Sequence, residues 1–418
     1  MPDCQRRLYV NSIAPFSKER QIHTMSTLDE TAIGERSDQL GMDVMPHLVH
    51  VFPSFDIGGQ QVRLASIINR LAGKYRHTVV ALNGNTSARS LISIGEGFSV
   101  RVLGQPQPRI PSPWSLHRFH TVLKHLNPTI LLTYNWGSTE WAFVNRMALK
   151  RPHLHFEDGF GSDESIVRQL RRRILFRRAA LGGTKTRIVV PSQQLFHLAT
   201  GRWAFRREAV VYIPNGIDCD RFSAAPDPEL AARVNRRAGE LIVGTIAALR
   251  PEKNLPRLIR SFAALPQPPN SRLVIAGDGP ERLRLERIAQ ESGASARILF
   301  VGAVPTAERA LGLFDVFAVT SDTEQMPYTV LEAMAASLPI VATDVGDISK
   351  MVATGNRSLI VSLQDEPRFV EVLTTLIRDR SLRNRIGLLN RERVQREYGI
   401  NKMIATYDRL FESCQPLL

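Results

Sequence analysis

Residues 323–335 read TEQMPYTVLEAMA and place two glutamates, Glu324 and Glu332, eight positions apart. The first falls in a loop behind the apolar run 316–320, and the second lies one or two turns into a segment of helical character. The first turn of a helix carries N–H groups without intrahelical partners, at the positive end of its dipole. Such an end suits a diphosphate, and a carboxylate on each side can accept hydrogen bonds from sugar hydroxyls. An ordinary helix start with acidic residues favoured by the dipole would carry the same letters, and spacing alone leaves both readings open.

Other segments hold residue types suited to the same chemistry. Arg250 and Lys253, in ALRPEKN (248–254), are cations that could neutralise a leaving diphosphate. Gly58 and Gly59 sit between an apolar strand and a helical pattern, where glycine permits close backbone approach. The stretch HLHFEDGF (153–160) puts His155 near the carboxyl end of a strand, followed by Glu157 and Asp158. Carboxylates beside a reacting hydroxyl can act as general bases. Asp218-Cys219-Asp220 spells DxD, but no His/Cys/Asp cluster elsewhere has ligand spacing, so neither a metal nor another cofactor is expected. The three cysteines, Cys4, Cys219 and Cys414, form no CxxC pair, which fits a reducing compartment.

EQMPYTVLE resembles the E-x7-E signature of the retaining GT-B glycosyltransferases of family 4 (group 1). Further segments follow in that family's order: FDIGGQQVRL (55–64) resembles its glycine-rich loop, and PNGID with RF (214–222) its "PNGID…RF" segment. ALRPEKN resembles its donor-phosphate segment, and AGDGP (276–280) its loop of that spelling. Together they cover about residues 47–416. The resemblance implies transfer of a sugar from a nucleotide-sugar donor to a saccharide or lipid-linked acceptor with retention of configuration. The setting it implies is bacterial polysaccharide or glycolipid synthesis, in the cytoplasm or peripherally on the inner face of the membrane. It implies that Glu324 contacts the donor sugar and Glu332 the nucleotide ribose, with Lys253 at the diphosphate and His155 near the reacting sugars. Gly58, Gly59, Asn215 and Gly277 would join the backbone of Met326, Pro327, Tyr328 and Thr329 around the donor, and Glu157 and Asp158 would meet the acceptor. Two positions depart from the family: Gln325 stands where a glycine is usual, and Ala248 where an arginine is common, so Arg250 is expected to reach in instead.

The formal charge is +14, and residues 46–225 carry the excess, with 24 Lys/Arg against 10 Asp/Glu. A one-sided basic surface implies an anionic partner. Arg168, Arg171, Arg172, Arg173, Arg177 and Arg178 have helical spacing, with Ile166, Leu170, Ile174 and Leu175 between them. The apolar residues are expected to face the core and the arginines to crowd outward, a face suited to anionic lipid. A nucleic-acid partner is not expected: the sequence pI is about 10.2, but RNP, zinc-finger and interleaved aromatic signatures are missing. A nucleotide-sugar epimerase on the same fold is the nearer rival, disfavoured by the paired glutamates.

These sites need elements to hold them. Hydrophobic residues make up 43% and charged residues 22%, a globular balance, and no apolar run approaches the ~18–20 residues of a membrane span. Short apolar strands at 47–52, 78–82, 98–103, 129–133, 153–156, 188–190 and 210–213 alternate with helical patterns. A second series follows at 241–247, 272–277, 298–302, 316–320, 339–343 and 359–362. Alternation of this kind means βαβ units and parallel sheets. The expectation is an α/β protein of GT-B type, two Rossmann-like doubly wound domains facing across a cleft. Its parts are a flexible extension (1–45), an acceptor-binding domain (46–225), a nucleotide-sugar-binding domain (226–395) and a helix crossing back to the first domain (396–418). The last carries Met403, Ile404, Tyr407, Leu410 and Phe411 at helical spacing.

Overall fold

The computed structural model describes residues 45–93, 100–104, 113–160, 164–166, 168–223, 225–266, 270–304 and 307–415. The expected N-terminal extension lies outside them. Among the described residues the first half builds β1 (His47–Phe52), α1 (Gly59–Arg70), β2 (Arg76–Ala81), β3 (Val100–Gly104), α2 (Pro113–Leu126), β4 (Ile130–Tyr134) and α3 (Thr139–Val144). It continues with β5 (His153–Phe156), α4 (Arg171–Leu181), β6 (Thr186–Val190), α5 (Gln193–Thr200) and β7 (Val210–Tyr212). The second half opens with α6 (Pro228–Val234), β8 (Leu241–Ile246), α7 (Leu255–Ala263), β9 (Ser271–Ala276), α8 (Arg282–Glu291), β10 (Ile298–Gly302) and α9 (Glu308–Leu311). Then come β11 (Val316–Val319), α10 (Tyr328–Ala335), β12 (Ile340–Thr343), α11 (Ile348–Met351), β13 (Ile360–Val361), α12 (Glu366–Arg378), α13 (Arg380–Glu397) and α14 (Ile400–Ser413).

The strands form two parallel sheets, in the orders β3-β2-β1-β4-β5-β6-β7 and β10-β9-β8-β11-β12-β13. Parallel strands need crossovers, and the crossovers bury both faces. β1 shows the consequence: all six of its residues are buried. Leu48 and Phe52 pack under α1, while Val49 and Val51 face Phe119 of α2 and Trp141 of α3. In each sheet the strand order reverses beside the first strand, between β1 and β4 and between β8 and β11. Ligands of such sheets bind beyond the carboxyl ends of the strands at these reversals.

The chain returns to its first domain at the end. Met403, Ile404, Tyr407, Leu410 and Phe411 share one face of α14 and join the core around Leu48, Phe52 and α1. Lys74 pairs with Asp408 and Glu412, and the Tyr75 hydroxyl donates to Asp408. The crossover thus seats the last helix of the chain in the core of the first sheet.

The arginine segment differs from its expectation. The helix starts at Arg171 rather than near residue 166, and its buried residues are Arg177, Ala180 and Leu181. Leu175 is 64% exposed. The spacing identified a helix, but the apolar and cationic residues did not divide as expected: Arg177 turns in and Leu175 turns out.

Candidate functional site

A cleft of about 710 Å³ lies between the domains, walled by residues that follow the strands at both reversals. Behind β1 come Pro53, Gly59, Gln60 and Gln61; behind β4, Asn135, Trp136 and Gly137. The facing wall takes Lys253 from the segment after β8, and Glu324, Gln325, Met326, Pro327, Tyr328 and Thr329 from the segment after β11. Asp158, Gly159 and Phe160 enter behind β5.

Glu324 and Lys253 meet at 2.6 Å. Their loops are tied together beneath them. Thr320 Oγ1 donates to the carbonyl of Asn254 at 3.1 Å, and Asp322 N donates to the carbonyl of Glu252 at 2.9 Å. Asn254, at φ 41, caps α7 and donates to Asp322, so the turn that presents Lys253 is held from both sides. Ser321 Oγ donates to Glu324 at 2.7 Å, on the same Oε1 that meets Lys253. Among the described residues none bonds to the other carboxylate oxygen, which can accept from a ligand hydroxyl. Immediately beyond, α10 starts behind Pro327 with no side chain capping it. The N–H groups of Tyr328 and Thr329, in its first turn, have no intrahelical acceptors; Pro327 has no N–H to offer.

Asn215 joins the two walls. Its amide donates to the Met326 carbonyl at 2.9 Å, while its oxygen accepts from Arg63 at 2.9 Å. Arg63 also grips Asp158 with both Nη atoms, at 2.5 and 2.8 Å. Gln60 donates to Asp158, and Asn135 Oδ1 accepts from the Asp158 N–H. Gly59 has a steric reason to be glycine: a Cβ there would stand 3.1 Å from the Tyr328 ring across the cleft. Closer to the floor, Ser192 donates to the Gln325 side chain, and Asp347 accepts from the first N–H groups of α5. The side chain that replaces the family's usual glycine is therefore buried against the opposite domain.

The model for Glycosyltransferase Family 4 matches residues 57–221, and that for Glycosyl transferases group 1 matches residues 227–393. The chain belongs to the group 1, family 4 glycosyltransferases. The structure of Anabaena HepE in complex with UDP superposes on 88% of this glycosyltransferase and 100% of its own chain, with a TM-score of 0.71 at 19% identity, which shows the GT-B fold. Among curated relatives, the GDP-mannose-dependent alpha-(1-6)-phosphatidylinositol monomannoside mannosyltransferase of Mycolicibacterium smegmatis is 32% identical over 184 residues. That match covers 41% of this chain and 47% of the relative. The N-acetyl-alpha-D-glucosaminyl L-malate synthase of Bacillus anthracis is 24% identical over 172 residues, 41% of this chain and 45% of its own. The glycosyltransferase thus spans a little under half the length of these two relatives.

Several residues expected at the site lie elsewhere. His155 and Glu157 are fully buried and do not reach the cleft. His155 Nδ1 is bonded to Thr133, and its Nε2 stands 3.6 Å from Glu157. Side chains alternate along a strand, and β5 with the residue after it turns both of these behind the wall that Asp158 faces. Glu157 lies instead 3.4 Å from Arg177 Nε. Arg177 lines the cleft but is only 1% exposed, pressed among the rings of Trp203, Trp136 and Phe160 and paired with Glu164. Arg173 also pairs with Glu164 and stacks on Trp136. Burial pushes the Glu164 carboxyl up, but the Arg177 bond, the Leu170 N–H and Arg173 outweigh it and leave its pKa below the usual range. Neither Arg173 nor Arg177 is therefore a free docking charge; Arg168, Arg171 and Arg172 stay exposed, and Arg178 is spent on the carbonyls of Arg202 and Trp203.

Arg250 is exposed and outside the cleft wall, so it does not take up the place of the family arginine that Ala248 leaves empty. Its charge is felt weakly by Asp56, whose pKa is lowered first by the Ser87 hydroxyl and then by the Ile57 N–H. Gly277, also outside the cleft, is a packing glycine: at φ 141 a Cβ would come 1.8 Å from the Ala247 carbonyl. Gly58 lies behind the wall as the residue preceding α1, in extended backbone open to any residue. Glu332 sits one turn beyond Tyr328, half-buried and outside the cleft wall. Burial, then Glu308, pushes its carboxyl up to about 7, with Arg221 opposing.

Sequence reasoning missed Arg63, Gln60, Asn135 and Trp136. Arg63 left a signal: it stands four residues before Ile67 on the buried face of α1, where an unpaired charge would be costly. Asn135 left a weaker one, as an asparagine at a strand end that adopts φ 54. Nothing in the letters marked Trp136.

Proposed function

We propose that this glycosyltransferase moves a sugar from a nucleotide diphosphate donor to a saccharide or lipid-linked acceptor, with retention of configuration. The observation that carries the reading is the Glu324–Lys253 pair set against the uncapped start of α10 at the meeting of two strand reversals. The donor diphosphate lies against the N–H groups of Tyr328 and Thr329 and the Lys253 ammonium, while the free oxygen of Glu324 accepts from a hydroxyl of the donor sugar. Transfer breaks the bond from the anomeric carbon to the phosphate oxygen and forms one to the acceptor oxygen on the same face. The acceptor proton passes to the leaving phosphate oxygen. Arg63 engages both oxygens of Asp158, which leaves the leaving phosphate oxygen as the acceptor of that proton. The acceptor meets the first-domain wall around Asp158, Asn135 and Trp136. The relatives supply donor classes to try: one is a GDP-mannose-dependent enzyme and another was solved in complex with UDP. A thermal-shift panel of UDP, GDP and ADP sugars tests the reading, since a specific ligand stabilises by RT ln(1 + [L]/Kd). Donors that stabilise wild type and Glu324→Gln alike, with no turnover by either toward sugar acceptors, would overturn it.

Glu332 gives the reading a pH signature. Its folded pKa of about 7 lies above the unfolded 4.5. Between those values the folded state holds a proton that the unfolded state has lost, so stability falls as pH rises through this window and levels off above it. Glu332→Gln is therefore expected to stabilise the free protein above pH 7, by on the order of 1–2 kcal/mol after allowance for partial exposure, and to change little at pH 4.5. Urea melts at the two pH values check it. A ribose hydroxyl prefers the ionised carboxylate, so nucleotide affinity should rise several-fold from pH 6 to pH 8. The same rise in Glu332→Gln would remove Glu332 from the ribose.

For membrane docking the structure leaves a smaller cationic set. No helix of the described residues is long and apolar enough to cross a membrane. We propose docking through Arg168, Arg171 and Arg172 with exposed Leu175 beside them. At about 1 kcal/mol per cation near an anionic surface, Arg171→Gln with Arg172→Gln should weaken binding to anionic vesicles by about 30-fold at low salt. Unchanged sedimentation with vesicles would discard this face.

A further inference from the structure

We propose that a second groove, behind the candidate donor cleft, binds a phosphate-bearing small molecule. It encloses about 590 Å³, within the range of ligand sites, and is lined from both domains and the returning helix. Four cations converge on it from four separate elements: Lys350 of α11, Arg357 of the turn before β13, Arg393 of α13 and Lys402 of α14. Two carboxylates share the wall, and both are committed. Asp347 accepts from the first N–H groups of α5 and pairs with Lys350 at 3.1 Å. Glu397 pairs with Arg393 and Arg396. Arg357 and Lys402 are exposed and make no side-chain hydrogen bond or ion pair with any described residue.

A basic chain will carry solvated arginines on open surfaces without consequence. Here the surplus charge lines a concavity, whose walls focus the potential. An arginine offers a planar fork and a lysine a point charge, a combination that fits phosphate oxygens. Tyr212, 37% exposed, adds an aromatic wall that can cover an apolar part of the ligand. The groove is not isolated from the main site. Met326 lines both cavities, and the Asp347 N–H donates to the Gln325 carbonyl at 2.9 Å. A ligand drawing Lys350 off Asp347 bears on the contact that joins α5 to the loop of Glu324. Such coupling works in both directions, so donor and groove ligand alter each other's affinity by the same factor.

The groove goes beyond the transfer reading and stands without it. Calorimetric titration with inorganic pyrophosphate at fixed ionic strength tests it in Lys253→Ala, which weakens the cleft for anions, and in that variant with Arg357→Gln and Lys402→Gln added. Both added positions are exposed and without a side-chain partner among the described residues, so a matching thermal melt certifies the fold. The expected result is a pyrophosphate site that survives Lys253→Ala and weakens at least tenfold on adding the two glutamines. No pyrophosphate binding by Lys253→Ala, or an isotherm unchanged by the added substitutions, overturns the proposal.

Discussion

Lys253→Ala is expected to lower turnover by about 10²- to 10³-fold, the loss seen when one preorganised donor is removed from developing negative charge. The lysine is fixed before any ligand arrives: the turn that carries it is bonded to the β11 loop, and its ammonium rests 2.6 Å from Glu324. When the bond to the diphosphate breaks, charge grows on the leaving oxygen, and a cation already in place needs no reorganisation to meet it. Glu324 plays a different part, toward the sugar, so Glu324→Gln should reduce turnover while leaving nucleotide affinity close to wild type. Because the two side chains touch, their effects should not add, and a double-mutant cycle should return a coupling of about 0.5–3 kcal/mol. Single-turnover kinetics with the donor selected by thermal shift provide the measurement. A Lys253→Ala enzyme within a few-fold of wild type would remove the lysine from the transition state.

The largest effect on stability is expected at Arg177. Replacing it by alanine should cost about 3–5 kcal/mol, the range for breaking a buried ion pair from one side. Glu157 has no exposure at all, and Arg177 is the cation beside it, 3.4 Å away. Glu164 would keep Arg173 but lose its closest buried partner. The cation also fills the space among Trp136, Phe160 and Trp203, so a cavity and lost cation–π contacts add to the deficit. Equilibrium unfolding in urea reads the loss directly. Combining Arg177→Met with Glu157→Gln should recover part of it, because the stranded charge and the void are then both removed. A loss under about 1 kcal/mol for Arg177→Ala would mean that water reaches Glu157 and that the cluster is solvated rather than buried.

Arg177 also shows where the letters ran out. Six arginines at helical spacing read as an outward basic face because cations rarely go inside. What reversed the reading for Arg177 was a set of partners from distant positions, Glu157, Glu164 and three aromatic rings, none of them on its own helix. His155 and Glu157 failed for a related reason. A strand end near a site is legible, but which face each side chain takes depends on what packs behind the sheet, and here the end of β5 and the residue after it turn both inward.

Local order and chemistry were set by the sequence itself. The strand series appears in the expected order because short apolar runs with crossovers between them can be buried only in parallel sheets covered on both faces. The returning helix was legible from five apolar residues on one face, which needed a core to join. Glu324 and Lys253 were recognisable because each sits in a segment whose function is local, a strand-to-helix turn. Only the tertiary structure decided that they form one pair, that Arg63 and Asn215 bind the two walls together, and that Gln325 spans the domains to Ser192. It also left Glu332 outside the cleft wall and Arg250 in solvent. The physical reason is the range of the forces involved. Hydrogen-bonded turns and apolar periodicity act over a few residues and write themselves into spacing. The pairing of a charge with a partner more than a hundred positions away, as between Arg63 and Asn215, depends on which surfaces the packed sheets bring within 3 Å.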